Sequence, residues 1–599
     1  MRVQSLESGS ARRQPVTRHL PPAEPRHATS LVAARYASEL AMLSAIAGMT
    51  GPAAHLLAAR AAGSLLAIQP AGTRNAVART RFVAACLLLA GDQPDPDILR
   101  QAWQALQTHD GLPACLDAAS FAMVQRLWPL APAAESLLTQ GGDDRLALDP
   151  VSGLNRYGCA PYPRAHVLAF GSCTASSICE PGLAAAAAQR RALLAQAAGG
   201  SADQAIESAA QTIASRLLAH FGIADLAEAM LVASGTDAAL LITALLAGRH
   251  PGEPLTSILM SPFETGSGVP EAVQGRHFAS VAASGQRVAK AGALDGIGHI
   301  GLQTIALRDA KGQPLPAPAV SRACEAAVAE AAARGHVVLH AIDGSKTGLS
   351  APGREACRKL KSRYGERLSV VIDACQVRIE PAAIRAYLAD GFAVLITGSK
   401  FFGAPGFCGA VLAPRGLATR LPAGMRAYAS SDGGLIGRRC PGLLLRWTAA
   451  LHGMARFAAV PPERISAALA RMTAALRTEL AAHPRLSLIQ APRPAGVGWS
   501  AQQSVFSFTV ASRAGPPLSA EALRPLYLAL ASDSTDAPDA LAAIRCQIGQ
   551  PVSLGTPAVG ALRIAFSADQ LADDGAAASQ IKTVFAKLAW VLDQKSHDG

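Results

Sequence analysis

The sequence predicts an α/β protein built on a mostly parallel sheet, and three observations lead there. Between about residues 150 and 420, short apolar runs alternate with segments of helical periodicity, the pattern of strand-helix-strand crossover units. Half of the residues are hydrophobic but only 5% are aromatic, so Ala, Val, Leu and Ile must fill the core. That composition favours helices and parallel strands buried on both faces. Finally, an aspartate and a lysine each stand just past an apolar run, where an open α/β sheet gathers its ligands.

At 599 residues the chain has the length of about three to five ordinary domains. With 16% charged residues it has the profile of a folded chain with a large core. The net charge of +12, from 55 basic and 43 acidic residues, is scattered, with its densest cluster at Arg12, Arg13, Arg18 and Arg26. Neither a basic stripe nor a helix-turn-helix pattern accompanies it, so nucleic acid is not the expected partner, and a general solubility field or an anionic substrate accounts for the charge as well. The eleven cysteines include no C-x-x-C pair, which reads as reduced thiols in a cytoplasmic protein without a metal centre. No apolar run reaches the roughly 18 residues of a membrane span. The longest, Ala238 to Gly248, is too short and follows Asp237.

In chain order, residues 1–30 carry Pro, Ser and Arg without periodicity and read as a flexible arm. Residues 31–148 read as a helical region. Leu99, Trp103 and Leu106 show its spacing, and Gly111-Leu112-Pro113 stops one of its helices. Residues 149–422 read as the large α/β domain. Its strand-like runs are Glu228 to Val232, Ser257 to Met260, Thr304 to Leu307, Val337 to Ile342, Leu368 to Ile372 and Phe392 to Ile396. Helices are expected at the apolar segment ending at Leu246, from Pro318 to Ala333, and around Ala184 to Ala188. Residues 423–599 read as an interdomain helical stretch and a small α+β domain, with strand-like Ser504 to Val510 and Ala561 to Phe566.

Three segments carry chemistry. Asp373 ends the run Val370-Val371-Ile372, with Ala374-Cys375-Gln376 after it. Lys400 follows Thr397-Gly398-Ser399 past the next run, where desolvation lowers a lysine's pKa and makes its amine nucleophilic. Ser234-Gly235-Thr236-Asp237 opens an apolar helix whose free N–H groups and hydroxyls suit a phosphate. Together they are what pyridoxal phosphate needs: a lysine for the Schiff base, a carboxylate for the pyridine nitrogen and a phosphate cradle. Each has a plainer reading alone, as an N-cap, a turn aspartate or a solvated loop lysine.

On these residues the chain resembles fold-type I pyridoxal-phosphate enzymes of the class V aminotransferase and cysteine desulfurase branch, over roughly residues 150 to 595. The resemblance implies a seven-stranded-type sheet flanked by helices. It makes Lys400 the Schiff-base lysine, Asp373 the pyridine partner and Gln376 the contact to the phenolic oxygen. Thr397 and Ser399 match phosphate contacts, and Gly235-Thr236-Asp237 resembles the phosphate-binding turn. Thr347-Gly348 resembles a turn near the ring, and Arg563 the arginine that clamps the substrate carboxylate. Thr265, in Phe263-Glu264-Thr265-Gly266, stands at the ring-facing position where the branch commonly has histidine. Ser345-Lys346 stands where it often has asparagine, and Lys346 is a candidate second cation near the substrate. Cys546 is the nearest match in position to the desulfurase cysteine, but its context differs and the role is not assigned to it. Asn155, Tyr157 and Arg164 lead into the site or form a structural turn.

The function so implied is an enzyme acting on an α-amino acid through Schiff-base and quinonoid chemistry, aminotransferase-like in outcome. Carbon–sulfur lyase or desulfurase chemistry and a decarboxylase-type lyase are the alternatives. A cofactor-sensing transcriptional regulator is the alternative outside enzymes. The resemblance also implies a homodimer. The Gly-rich, cationic segment Ser430 to Pro441 would let Arg438 or Arg439 reach the neighbouring subunit's site.

Overall fold

The computed structural model describes residues 25–77, 80–110, 115–417, 421–428, 440–492, 498–512, 515–532, 540–573 and 575–597. The sequence as far as residue 24, Gly111-Leu112-Pro113 and the stretch 429–439, with Arg438 and Arg439, lie outside these residues. A helix spans Pro25–Ser44, so regular structure begins inside the segment read as an arm.

Among the described residues the strands, in chain order, are β1 (Val167–Phe170), β2 (Ala227–Val232), β3 (Leu255–Met260), β4 (Ile300–Ile305), β5 (His336–Ile342), β6 (Leu368–Asp373), β7 (Ala393–Thr397), β8 (Gly409–Pro414), β9 (Leu486–Leu488), β10 (Val505–Val510), β11 (Arg545–Leu554) and β12 (Thr556–Ala565). Seven of them form a sheet in the order β2-β8-β7-β6-β5-β3-β4. All neighbours are parallel except β8, which runs against both β2 and β7. Every residue of β5 and of β7 is buried, as strands covered on both faces require. The helix Gly235–Arg249 is buried from Thr236 to Leu246, which explains why it shows no polar stripe.

The other strands form a five-stranded sheet in the order β1-β11-β12-β10-β9. Its first strand precedes the whole large sheet in sequence and pairs in parallel with β11. Arg563 sits mid-sheet, opposite Ser507 on β10 and Gly549 on β11. A bulge between Gly549 and Val552 takes up Gln550-Pro551, since proline cannot donate to a ladder.

The N-terminal helices pack directly on this body. Helix Gly51–Ala67 is apolar nearly all round and buried from Ala53 to Leu66. Its one cation, Arg60, donates to the carbonyls of Trp128, Leu89 and Gly91, with its guanidinium 3.6 Å over the Trp128 ring. Arg190, on helix Glu180–Ala198, donates to Glu39 at 2.8 Å and to the carbonyls of Leu130 and Ala131. Arg446, on helix Pro441–Ala458, is fully buried and donates to the carbonyls of Leu138, Gln140, Gly141 and Phe407. Among the described residues no helix is long and apolar enough to cross a membrane.

The sheet departs from the sequence pattern in places. The run expected at Thr304 to Leu307 is a strand displaced towards the N-terminus, Ile300–Ile305, on the sheet edge and containing Gly301. Strands β1, β8, β9 and β11 were not expected. Gly409–Pro414 directly follows a loop dense in glycine, and the Gly and Pro of β11 mimic a turn.

Candidate active site

A cavity of about 250 Å³ opens at the carboxyl ends of the parallel strands. It is lined by Gly235 and Thr236 beyond β2, Thr265 beyond β3, Lys346 beyond β5, Asp373 and Gln376 at β6, Thr397, Ser399 and Lys400 at β7, and Arg563 from the small sheet. These segments span most of the sequence, and the crossover topology is what brings them to one edge. A larger open concavity, about 1270 Å³, lies by the amino ends of β3 and β4 and holds none of the residues the sequence singles out.

At one side of the cavity lies a helix N-terminus. Ser234 is extended and caps helix Gly235–Arg249, its Oγ accepting from the Asp237 N–H at 3.2 Å. Gly235 leaves no room for a side chain, since a Cβ there would stand 2.7 Å from Cys375 Sγ and 3.1 Å from Thr397 Cγ2. The backbone N–H groups of Gly235 and Thr236 and the Thr236 hydroxyl therefore meet the cavity at close range, as an anion site requires. Asp237 does not line the cavity. Its carboxylate accepts from Ser234 Oγ at 2.5 Å, and burial with Asp143 nearby pushes it up to about 6, against the pull of Ser234 and Arg145.

The next strand ends supply the reactive groups. Asp373 closes β6, and its Oδ1 accepts from the Cys375 N–H at 3.0 Å. Thr397 donates to the Cys375 carbonyl at 2.7 Å, and Val377 takes φ 49°, left-handed and costly for a β-branched residue. This tight turn aims Gln376 inward. Gln376 Nε2 donates to the Cys173 carbonyl at 3.1 Å, while Oε1 is buried without a partner among the described residues. Such an atom costs free energy until something meets it. Lys400 Nζ likewise has no hydrogen-bond partner among the described residues, and Ser399 lines the cavity beside it. Helix Pro441–Ala458 presses on this loop so closely that a Cβ on Gly398 would stand 2.4 Å from Ala450 Cβ.

Beyond β3, Glu264 is wholly buried and paired with Arg308 at 2.6 Å. Its other oxygen accepts from Ser345 Oγ at 2.7 Å and Thr347 Oγ1 at 2.5 Å, and Arg308 also donates to Thr347 Oγ1 at 2.7 Å. This network fixes the turn Ser345-Lys346-Thr347-Gly348, where Gly348 takes φ 88°. Lys346 Nζ donates to the Thr265 carbonyl at 2.9 Å. Burial, with Arg563 and Lys400 nearby, pulls its amine down to about 8, opposed by Glu264. Arg563 donates to the carbonyls of Gln550 and Lys346 and to Thr174 Oγ1.

The sequence reading missed several lining residues. Arg145 pairs with Asp143 through three side-chain hydrogen bonds, donates to Ser234 Oγ at 3.0 Å and lies 4.6 Å over the Phe407 ring. Arg308 and the Cys173-Thr174 turn were missed too. A glycine pair before Asp143 and a lone arginine after Ile305-Ala306-Leu307 are weak signals for such roles. Of the three residues left open, Tyr157 lines the cavity, Asn155 Oδ1 accepts from the Tyr157 and Cys159 N–H groups as a turn residue, and Arg164 donates to the Gly158 carbonyl. Cys546 is buried in β11 away from the cavity, its thiol pushed up to about 11 by burial. Cys173 and Cys375 line the cavity, and burial raises the Cys375 thiol well above its usual range. Among the described residues no cluster of His, Cys, Asp and Glu could hold a metal.

No family model and no curated protein matches the sequence. Among solved structures the chain is similar to a cystine C–S lyase, C-DES, in complex with its reaction product cysteine persulfide, at 15% identity and TM-score 0.47 over 71% of this chain and 98% of that one. It is similar to a NifS-like protein from Rickettsia africae at 10% identity and TM-score 0.46, over 72% of this chain and 100% of that one. It is also similar to a Sphingomonas wittichii serine palmitoyltransferase at 12% identity and TM-score 0.40, over 64% and 76%. Likeness at this level does not extend to activity.

Proposed function

We propose that the chain is a fold-type I pyridoxal-phosphate-dependent enzyme acting on an α-amino acid, with aminotransferase-like chemistry. The observation that carries this reading is the convergence in one cavity of a helix N-terminus, a strand-end aspartate, an unpartnered lysine and a glutamine whose buried Oε1 has no partner. Those groups fit the cofactor one by one, the glutamine as an acceptor because its Nε2 is given to the Cys173 carbonyl. When bound, pyridoxal phosphate supplies an electrophilic carbon for amines and a ring that draws electron density from the substrate's Cα.

The chain's own residues then have distinct tasks. Gly235, Thr236 and Ser399 present N–H and O–H donors to the phosphate. Asp373 holds a proton at the ring nitrogen, and Gln376 Oε1 accepts from the ring's hydroxyl. Lys400 Nζ is the amine placed to hold the group and to move the proton at the substrate's Cα. Arg563 binds the substrate carboxylate. Neither Cys375 nor Cys546 is a ready thiolate, which supports an outcome without sulfur transfer to those residues. Cleavage at a carbon–sulfur bond stays as the second reading because Cys173 lines the cavity. The homodimer stays part of the proposal, on the resemblance alone.

Borohydride reduction of cofactor-loaded protein, followed by peptide mass spectrometry, tests the assignment. A reduced cofactor mass on the Lys400 peptide is expected, and Lys400→Ala should lose it. Attachment at another lysine, Lys346 included, overturns it.

A further inference from the structure

Two cations, Lys346 and Arg563, line the same cavity: Arg563 donates to the Lys346 main-chain carbonyl at 2.9 Å, and the Lys346 ammonium lies within reach of its charge. Neither forms a salt bridge among the described residues. Lys346 Nζ meets one carbonyl, and Arg563 meets two carbonyls and a hydroxyl. The nearby acid, Glu264, is already used on both oxygens by Arg308, Ser345 and Thr347. Desolvated cations side by side repel each other, and Glu264, paired with Arg308, offsets this only in part. Natural sites keep such an arrangement where a ligand brings the missing charge. The α-carboxylate of an amino acid brings one negative charge, which Arg563 alone satisfies in the reading above.

We propose that Lys346 selects a substrate with a second anionic group, so that the substrate class is an α-amino acid with a negatively charged side chain. This rests on the cavity being the amino-acid site of the proposed enzyme. The Glu264–Arg308–Ser345–Thr347 network makes Lys346 suited to the task, because a rigid turn holds its backbone. Its ammonium retains N–H donors beyond the one given to the Thr265 carbonyl, and these are free to meet a carboxylate.

The test is equilibrium binding of unreactive acids to the cofactor-loaded protein by calorimetry at low ionic strength. Succinate should bind at least about tenfold more tightly than butyrate. Lys346→Met should remove that preference and leave butyrate binding within about twofold, whereas Arg563→Met should weaken both acids. Cofactor retention and melting temperature of each variant show that the fold survives. Equal binding of the two acids by the unmodified protein, or a preference that persists in Lys346→Met, overturns the proposal. Absence of the cofactor mass on Lys400 in the same preparation instead removes the underlying enzyme reading, so the two failures are distinguishable.

Discussion

Gly409→Ala should act as a wedge beneath the phosphate cradle. Gly409 opens β8, pairing with Val232 of β2 and Thr397 of β7. A Cβ there would lie 2.4 Å from the Ser234 carbonyl oxygen, 2.5 Å from its carbon and 3.0 Å from the Gly235 nitrogen. The first distance falls 1.0 Å short of the 3.4 Å at which ordinary contact begins. All three neighbours are backbone atoms, so no side-chain rotation relieves the clash. Nor can β8 simply retreat, because Trp447 Nε1 donates to the Gly409 carbonyl at 3.2 Å and is itself fully buried. The displacement therefore falls on Ser234 and Gly235. Overpacking of this kind costs about 1–3 kcal/mol of stability. Loss of even one charge-assisted hydrogen bond at the cradle, about 1.5–3 kcal/mol, weakens phosphate binding tenfold or more. Scanning fluorimetry would read the first effect and titration with the cofactor the second. Gly199→Ala, at a helix end with nothing within 4 Å of its Cβ, is the control that should change neither. Unaltered cofactor affinity in a folded Gly409→Ala protein would falsify the placement of the phosphate at Gly235.

Asp373→Ala should retain measurable cofactor binding but lose turnover by orders of magnitude, as read by single-substrate kinetics; near-normal rates would remove Asp373 from the role of ring partner. Lys346, faced by Arg563, Lys400 and the Arg308-paired Glu264, gives a pH signature of two opposite slopes. Succinate affinity should fall as pH rises through about 8, while Lys346's contribution to folding stability should rise from there towards its unfolded pKa of about 10.4, since the unfolded chain then holds the extra proton. A flat succinate profile between pH 7 and 9.5 would contradict a titrating Lys346 at the ligand.

The sequence makes the strand ends that meet at the cavity legible for a physical reason. Asp373 ends one short apolar run and Lys400 follows the next; runs of that length between helical segments read as buried strands, and fold topology assigns the carboxyl ends of such strands to one crevice. The helix Pro96–Asp110 was legible from a different signal, the helical spacing of Leu99, Trp103 and Leu106. Strand β8 was hidden because its first residue is a glycine required for close approach to Ser234, and glycine reads locally as loop. Arg145 and Arg308 were hidden because their value comes from partners far away in sequence, Ser234 and Glu264, which no local pattern encodes. Thr174 belongs to a segment whose strand, β1, joins a sheet otherwise assembled from the last part of the chain.

The position of Arg446 bears on what counts as the smallest self-sufficient piece of this chain. Three of the four carbonyls that satisfy its guanidinium, those of Leu138, Gln140 and Gly141, precede the α/β body, and the fourth belongs to Phe407 in the lysine loop. Trimming the chain at about residue 149 would leave a cation walled in with most of its acceptors gone, directly behind the loop that presents Lys400, and would also carry away Arg145 from the Ser234 cap. The helical N-terminal region is therefore inseparable from the α/β body in the way one half of a clasp is from the other. Any shortened version of this protein has to begin upstream of Leu138 or replace Arg446 with a side chain that asks for nothing.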